Sequence, residues 1–280
     1  MKIIECPRDA MQGLHEFIPT NLKVRYANSL LSVGFDTLDV GSFVSPKAIP
    51  QMKDTGEVLD ALDVNGDTKL SVIVANERGI NSAVQYEQVS YLGFPLSLSE
   101  TFQQRNTNRS INDAFEVVKQ AQDACEKFNK SLNVYLSMGF GNPYGDDYSV
   151  QLVSDFSGQL AELGVSIISL SDTIGVADPE MIKPLFQELV NAHPEIEFGA
   201  HLHSQVESVD AKLEAVLESG CQRIDGAIRG FGGCPMAKDD LVGNMPTEMI
   251  VRFLNNKGEN TVNQKAFDHA MAISNEVFFN

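Results

Sequence analysis

Two histidines lie two residues apart in the stretch 197-EFGAHLHS-204, which otherwise reads as a buried β-strand. Side chains alternate between the two faces of a strand, so His201 and His203 are predicted to project in the same direction. The imidazoles are therefore either buried histidines with hydrogen-bond partners or two ligands of one metal ion. The H-x-H pattern alone leaves both interpretations open.

The elements that must position these histidines alternate regularly along the chain. Eight short β-rich runs recur about every 30 residues, with amphipathic helical segments between them, as in a (β/α)8 barrel. Several runs are almost continuously apolar, which is typical of strands buried on both faces. We predict an α/β fold, a (β/α)8 TIM barrel, as a single domain over residues 1–280, with a doubly wound open sheet as the alternative. The predicted strands are 2–6, 37–43, 69–75, 90–97, 132–138, 165–171, 197–203 and 223–229.

The charge balance limits the possible partners. The chain has 38 acidic and 21 basic residues and a formal net charge of −17, and such a field repels nucleic acid and anionic membranes. No apolar run approaches the roughly 20 residues that cross a bilayer, and the N-terminus does not read as a secretory signal. We predict a cytoplasmic protein without nucleic-acid or membrane partners. A homodimer is predicted from the frequency of such assemblies alone.

Polar side chains are predicted to gather where the strands end, because the catalytic groups of this fold lie at the C-terminal ends of the strands. Asp9 closely follows the first strand, Asp39 lies near the end of the second, and Asp172 follows the sixth. The two histidines of the seventh strand would face the same rim. Asp9, His201 and His203 together are typical of a divalent-metal site with open coordination positions.

Several longer motifs resemble those of one known family, and their order and spacing agree with the predicted barrel. They are ECPRDAMQ (5–12), IPT (18–20), GSFVSPKAIPQM (41–52), SLSETFQQRNTNRSI (97–111), SDTIGVADP (171–179), AHLHS (200–204) and GFGGCPMAKDDLVGNMPTE (230–248). Over essentially its whole length the chain resembles the 3-hydroxy-3-methylglutaryl-CoA lyase family of the DRE-TIM metallolyase superfamily. The resemblance favours the metal-site interpretation of the two histidines.

The resemblance implies a role for several residues. Asp9, His201, His203 and Asn244 correspond to ligands of Mg²⁺ or Mn²⁺, and such an oxygen and nitrogen set suits these cations better than zinc. Arg8 corresponds to the group that stabilises the enolate oxygen, where a fixed positive charge contributes most. His201 is also the leading candidate for the base that removes a hydroxyl proton.

Other roles depend more on position. Asp39 and Asp172 are expected to bind substrate or relay protons, although structural hydrogen bonds to loop amides are an open alternative for both. Cys234 lies in the glycine-rich loop 230-GFGGCP-235, which resembles a mobile lid whose thiol takes part in proton transfer. Cys6, Cys125 and Cys221 are predicted to fill the core. Lys47 and Arg78 are predicted CoA contacts from their charge and rim position.

The chain also departs from the family pattern. The segment 204-SQVE-207 stands where the family has Asp-Thr-Tyr-Gly, Ala10 stands where it has Gly, and Asp39 where it has Glu. Arg229 replaces a small residue, and we predict that it brings a cation to the pocket rim and favours a different carboxylated acyl group. The outer partners on which a metal site depends are therefore expected to differ.

The resemblance implies an enzyme that cleaves 3-hydroxy-3-methylglutaryl-CoA to acetyl-CoA and acetoacetate with a divalent metal. One alternative is a related superfamily lyase or acyl-CoA condensing enzyme with another 3-hydroxyacyl substrate. A second alternative is a non-catalytic barrel that binds a metabolite, and the departures at 204-SQVE-207 motivate it.

Overall fold

Eight parallel strands close into a barrel in sequence order in the computed structural model, which describes residues 1–233, 242–259 and 262–279. The predicted (β/α)8 barrel is confirmed. The strands are β1 Lys2–Glu5, β2 Thr37–Ser42, β3 Lys69–Ile73, β4 Val89–Ser97, β5 Ser131–Ser137, β6 Ile167–Ser171, β7 Glu197–His201 and β8 Arg223–Gly226.

The helices lie between successive strands and after the last one. They are α1 Pro7–Gln12, α2 Thr20–Leu31, α3 Thr55–Asp60, α4 Glu77–Ala83, α5 Glu100–Thr107, α6 Ile111–Lys127, α7 Val150–Glu162, α8 Pro179–Ala192, α9 Val209–Glu218, α10 Thr247–Asn256 and α11 Gln264–Phe278. The sequence pattern predicts helical segments at 21–34, 110–129, 148–164, 179–192 and 208–220, which correspond to α2, α6, α7, α8 and α9. The ends of α8 agree with the prediction, and those of the other four differ by one to three residues. None of the helices in the described ranges is long and apolar enough to cross a membrane.

The burial of the strands explains their apolar sequences. Every residue of β2 and of β6 is buried, because one face lines the barrel interior and the other packs against the helices. Side-chain caps fix where several helices begin. The Ser110 hydroxyl, for example, accepts the Asp113 amide at 3.1 Å and starts α6, and the Asn76 side chain accepts the Gly79 amide at 2.9 Å and starts α4.

The seventh strand is shorter than predicted. It ends at His201, and His203 instead forms an isolated antiparallel bridge with Asn244. Two backbone bonds hold this bridge, from the Ser204 amide to the Gly243 carbonyl at 3.1 Å and from the Met245 amide to the Leu202 carbonyl at 3.3 Å. The segment that returns after β8 therefore continues the pairing and brings Asn244 to the histidines.

The closed strand order also determines which strand ends face each other. Going round the ring in either direction, three strands separate β3 from β7, so these two strands lie on opposite sides of the barrel. β1 lies between β8 and β2, next but one to β7. Residues just after β1 and β7 can therefore meet on one side of the mouth, opposite the residues that follow β3.

Candidate active site

Asp9, His201 and His203 come together at the C-terminal mouth of the barrel. One ligand atom of each side chain lies within 4.8 Å of those of the other two. Asp9 lies in the short helix α1 directly after β1, and the two imidazole centroids are 5.6 Å apart. The same-face prediction for the two histidines therefore agrees with the geometry, although His203 lies beyond the strand.

Arg8 is held in one orientation by three side chains. Its Nε and Nη2 donate to Asp39 Oδ2 at 3.0 and 2.5 Å, and its Nη1 donates to Asp9 Oδ1 at 2.8 Å and Gln12 Oε1 at 3.0 Å. Arg8 is 8 % exposed and Asp39 is fully buried, so solvent screens this pair weakly. The guanidinium is consequently fixed next to the candidate metal ligands, as electrostatic stabilisation of a developing negative charge requires.

The protonation states of Asp9 and His203 suit a divalent cation. Burial would raise the pKa of Asp9, but the Arg8 guanidinium and the two imidazoles outweigh it and lower the pKa to about 2. Burial, and then the neighbouring His201, lower the pKa of His203 to about 4. Asp9 is therefore ionised and His203 neutral at neutral pH, the forms in which carboxylates and imidazoles bind metals.

One atom of the cluster is left without a partner. Nε2 of His203 is buried and has no hydrogen-bond partner among the described residues. A buried lone pair without a partner is costly unless an ion or a water molecule satisfies it. Together with the carboxylate of Asp9 and the imidazole of His201, it forms an oxygen and nitrogen donor set that fits a divalent cation.

His201 is oriented from behind by a carboxylate that the sequence analysis did not identify. Its Nδ1 lies 3.0 Å from Oδ2 of Asp225, a buried residue of β8. Hydrogen bonding of one ring nitrogen to a carboxylate fixes the tautomer and leaves Nε2 as the acceptor, as in many metal sites. Asp225 gave no signal in the sequence because it lies inside a strand that reads as buried.

Asn244 reaches the cluster through its amide group. Its Nδ2 donates to Asp9 Oδ2 at 2.6 Å and to the Phe231 carbonyl at 2.9 Å. A metal would bind the amide oxygen, so this donor bond and coordination are alternative arrangements of the same side chain. Gly232 makes the close approach possible. It has φ +101°, and a Cβ there would lie 2.5 Å from Asn244 Nδ2 and 2.9 Å from the Asp9 carbonyl oxygen.

Asp172 lies beside the cluster but does not line the cavity at the barrel mouth. Its Oδ1 accepts the amides of Val176 and Ala177 at 2.8 and 3.1 Å, and its Oδ2 lies 3.5 Å from Nζ of Lys212. Lys212 also donates to the His203 carbonyl at 2.6 Å. In this arrangement the carboxylate of Asp172 accepts hydrogen bonds from amides of the loop after β6. This corresponds to the alternative given for Asp172 above, a structural role rather than substrate binding or proton relay.

The remaining predicted cations lie away from the cluster. Lys47 and Arg78 are exposed and do not line the cavity. The prediction that Arg229 brings a cation to the pocket rim is wrong. Its Nε donates to Ser274 Oγ at 2.9 Å and its Nη2 donates to Asn275 Oδ1 at 2.8 Å, so that the side chain fastens α11. Its backbone has φ +68°, which turns the side chain to that side.

The cysteines divide into two groups. Cys6, Cys125 and Cys221 are buried, as predicted for core residues. Burial raises the pKa of the Cys125 and Cys221 thiols to about 12, which keeps them protonated and unreactive at neutral pH. Cys234 lies outside the described residues, and its role remains a prediction.

The cavity also contains two polar groups that the sequence analysis did not single out. Gln12 donates to Asp9 Oδ1 at 2.7 Å and accepts from Arg8, and it was visible in the motif ECPRDAMQ. Arg109 lines the wall on the β3 side, where its Nη1 donates to the Ala75 carbonyl at 3.1 Å. Nothing in the spacing of Arg109 relative to β4 pointed to the cavity.

A closed (β/α)8 barrel with a carboxylate–imidazole cluster and a fixed arginine at its C-terminal mouth defines a class, the barrel enzymes that act with a divalent metal. The particular family follows from comparison. A family model described as HMGL-like matches residues 2–277, and the chain belongs to this family. The predicted family membership, and with it the predicted lyase class, is confirmed.

Named relatives agree with this assignment. The chain is 33% identical over 248 residues to the hydroxymethylglutaryl-CoA lyase YngG of Bacillus subtilis, covering 89% of this chain and 82% of the relative. The crystal structure of the B. subtilis HMG-CoA lyase is similar with a TM-score of 0.91 at 31% identity, covering 98% and 92% of the two chains. An HMG-CoA lyase from Acinetobacter baumannii in complex with coenzyme A and 3-methylmalate has a TM-score of 0.91 at 28% identity, covering 99% and 90%.

Proposed function

We propose that the protein cleaves 3-hydroxy-3-methylglutaryl-CoA to acetyl-CoA and acetoacetate with the help of a divalent cation, Mg²⁺ or Mn²⁺. The observation that carries this proposal is the cluster of Asp9, His201 and His203, with the unpartnered Nε2 of His203, directly beside the fixed guanidinium of Arg8. The identity of the relatives as HMG-CoA lyases supports the choice of substrate.

The proposed cation would be held by Asp9, His201 and His203, with Asn244 as a fourth ligand if its amide oxygen turns toward the cluster. When bound, a divalent cation polarises the oxygens it contacts and stabilises negative charge that develops on them. The ionised Asp9 and the neutral His203 need no proton to be removed before they bind it.

Breaking the carbon–carbon bond turns the hydroxyl-bearing carbon of the substrate into the ketone of acetoacetate, and the hydroxyl proton passes to solvent water. The electron pair of that bond becomes the enolate of the thioester. Arg8 is the proposed stabiliser of the enolate oxygen, because Asp39, Asp9 and Gln12 fix its guanidinium before the charge appears. Cys234 is the proposed donor of the proton that the enolate carbon takes up.

His201 was predicted both as a metal ligand and as the base for the hydroxyl proton. One lone pair cannot serve both at once, and since Asp225 occupies Nδ1, only Nε2 is available. We assign Nε2 to the cation because His201 belongs to the cluster with Asp9 and His203. In a His201→Ala variant the affinity for Mn²⁺ should therefore fall together with turnover. Normal Mn²⁺ affinity with lost turnover would instead assign His201 to the base.

The proposal also includes a CoA thioester as substrate, a cytoplasmic location, a homodimer and a single domain over residues 1–280. The substrate is tested by product analysis. Purified protein with Mg²⁺ should convert 3-hydroxy-3-methylglutaryl-CoA to equal amounts of acetyl-CoA and acetoacetate, measured by nuclear magnetic resonance. Cleavage of another 3-hydroxyacyl-CoA at a much higher kcat/KM would reassign the substrate within the family.

A further inference from the structure

The cavity at the barrel mouth has two unlike walls. It encloses about 340 Å³. The β7 wall consists of Arg8, Asp9, His201 and His203, and the β3 wall includes Ile73, Ala75, Asn76 and Arg109. Between them the lining mixes apolar side chains, such as Val44, Ile49 and Phe102, with hydroxyl groups, such as those of Ser137 and Thr173. A cavity with charged groups on two walls favours a ligand with polar groups toward opposite ends.

Arg109 is the charged group of the β3 wall. It lies just before Ser110, the residue that caps α6, and its bond to the Ala75 carbonyl directs the guanidinium to the end of β3. A guanidinium carries five N–H donors in a rigid fork. Among the described residues this one bond is the only hydrogen bond that Arg109 makes, so most of its donors remain for a ligand.

The other arginine of the cavity is largely occupied. Arg8 uses four of its five N–H donors for Asp39, Asp9 and Gln12, so the one that remains on Nη2 can reach a single oxygen but cannot form a bidentate pair with an anion. Arg109 is half-buried, so a carboxylate or phosphate bound there would be partly withdrawn from solvent screening. Arginine pairs with both of these anions in a bidentate geometry.

We propose that Arg109 binds an anionic group of the thioester substrate, at a position remote from the bond that breaks, and so determines which thioesters are accepted. This inference rests on the proposed function. Two parts of the substrate carry such a group, namely the terminal carboxylate of the acyl chain and the phosphates of CoA. Arg229 was predicted to be the cation that favours a particular carboxylated acyl group. We assign the selecting role to Arg109 instead, and the group that it selects is a carboxylate or a phosphate.

The test compares three thioesters of the same acyl group in the wild type and in Arg109→Gln. They are the CoA thioester, the pantetheine thioester, which lacks the CoA phosphates, and the methyl ester of the pantetheine thioester, which lacks the carboxylate as well. Loss of a charged hydrogen-bonded pair should lower kcat/KM for the CoA thioester by about 10- to 100-fold. If Arg109 binds the carboxylate, the loss persists with pantetheine and disappears with its methyl ester. If it binds a phosphate, the loss disappears with pantetheine already.

Two results would overturn the inference, namely an equal loss with all three thioesters, which would make Arg109 structural, or no loss with any. Arg109→Lys should recover part of kcat/KM. Arg252→Gln is the matched control, because it removes an exposed guanidinium that pairs with Asp210, and it should leave all three values unchanged.

A binding measurement separates this inference from the proposed function. Calorimetry with free 3-hydroxy-3-methylglutarate and with CoA requires no turnover. Weaker binding of one of these ligands to Arg109→Gln supports the anion site even if the wild type cleaves none of the thioesters. Equal binding of both ligands to the two proteins contradicts it even if the wild type is an active lyase.

Discussion

The two walls of the cavity hold their cations in different ways. On the β7 wall, Arg8 donates four of its five N–H groups to Asp9, Asp39 and Gln12. On the β3 wall, Arg109 has one hydrogen-bond partner among the described residues, the backbone carbonyl of Ala75. A cation that is bonded through most of its donors is fixed and can stabilise a developing charge without moving, whereas a cation with most donors free can bind an anionic ligand. The comparison therefore assigns the chemical step to the β7 wall and the selection of the substrate to the β3 wall.

The largest expected effect comes from removing the carboxylate of the β7 wall. Asp9→Ala removes the charged ligand. It also removes the carboxylate to which both Arg8 and Asn244 donate hydrogen bonds. Turnover should fall by at least about 1,000-fold, since metal stabilisation of the transition state amounts to several kcal/mol. Mn²⁺ affinity, measured by electron paramagnetic resonance, should fall as well. Asp210→Asn, at an exposed carboxylate, is the control. Unchanged Mn²⁺ affinity in Asp9→Ala would contradict the assignment of the metal site.

Glu5, at the end of β1, is a buried carboxylate whose pKa can be compared with that of Asp9, which the Arg8 guanidinium lowers. Glu5 is fully buried, and burial raises its pKa to about 8, although the Thr247 hydroxyl and the Ile228 amide partly oppose this. The folded protein then binds this proton more tightly than the unfolded chain does. Stability from the protonated form is present below the ordinary pKa of about 4.5 and is lost as pH rises through 8.

Glu5→Gln should remove this dependence, because the amide keeps the shape and has no charge to desolvate. Relative to the wild type, its free energy of unfolding should rise by about 2–4 kcal/mol between pH 5 and pH 8.5. Urea denaturation at both pH values measures it. Glu116→Gln, at an exposed position, should show no such change. The same pH dependence in Glu5→Gln and in the wild type would rule out Glu5 as its source.

Asp225 tests whether the β7 wall depends on a carboxylate behind the metal ligand. Asp225→Asn keeps the size of the side chain but removes the charge that orients Nδ1 of His201. Mn²⁺ affinity should fall by about 10- to 100-fold, the usual effect of losing such an outer partner. The melting temperature without added metal serves as the control for folding. An affinity equal to that of the wild type would show that the tautomer of His201 is fixed by something else.

The smallest effect is expected at the outer rim, beyond the β3 wall. Lys47 and Arg78 are exposed, so their attraction for CoA phosphates is screened by salt. Lys47→Gln and Arg78→Gln should each raise KM for the CoA thioester by about two- to fivefold at low ionic strength, and the effect should shrink at about 0.5 M salt. kcat should not change. A larger, salt-independent effect would place one of these cations inside the site and would weaken the distinction between Arg109 and the rim.

The difference between the walls also explains what the sequence could predict. Asp9, His201 and His203 lie at or just after strand ends, and because the strand order of a closed barrel brings those ends together, their clustering could be predicted. Arg109 lies well beyond the end of β4, after a further helix, so its position depends on the Ser110 cap and the Ala75 carbonyl rather than on a strand.

Tertiary packing determines the positions of the residues whose location could not be predicted, or was predicted wrongly, from the sequence. Arg229 lies next to the glycine-rich loop in sequence, but its positive φ and its bonds to Ser274 and Asn275 turn it toward α11. No local pattern shows which helix a side chain will meet. Asp225 was hidden for a similar reason, because its partner His201 lies 24 residues away along the chain.

The most direct test of the account is release of acetyl-CoA from 3-hydroxy-3-methylglutaryl-CoA by the purified protein, first with Mg²⁺, then with excess chelator, and then with Mg²⁺ restored. The account predicts release with Mg²⁺, loss of release with the chelator, and recovery when the cation returns. Full-rate release in the presence of the chelator would contradict the metal site. The absence of release from protein shown to contain the metal would contradict the proposed substrate.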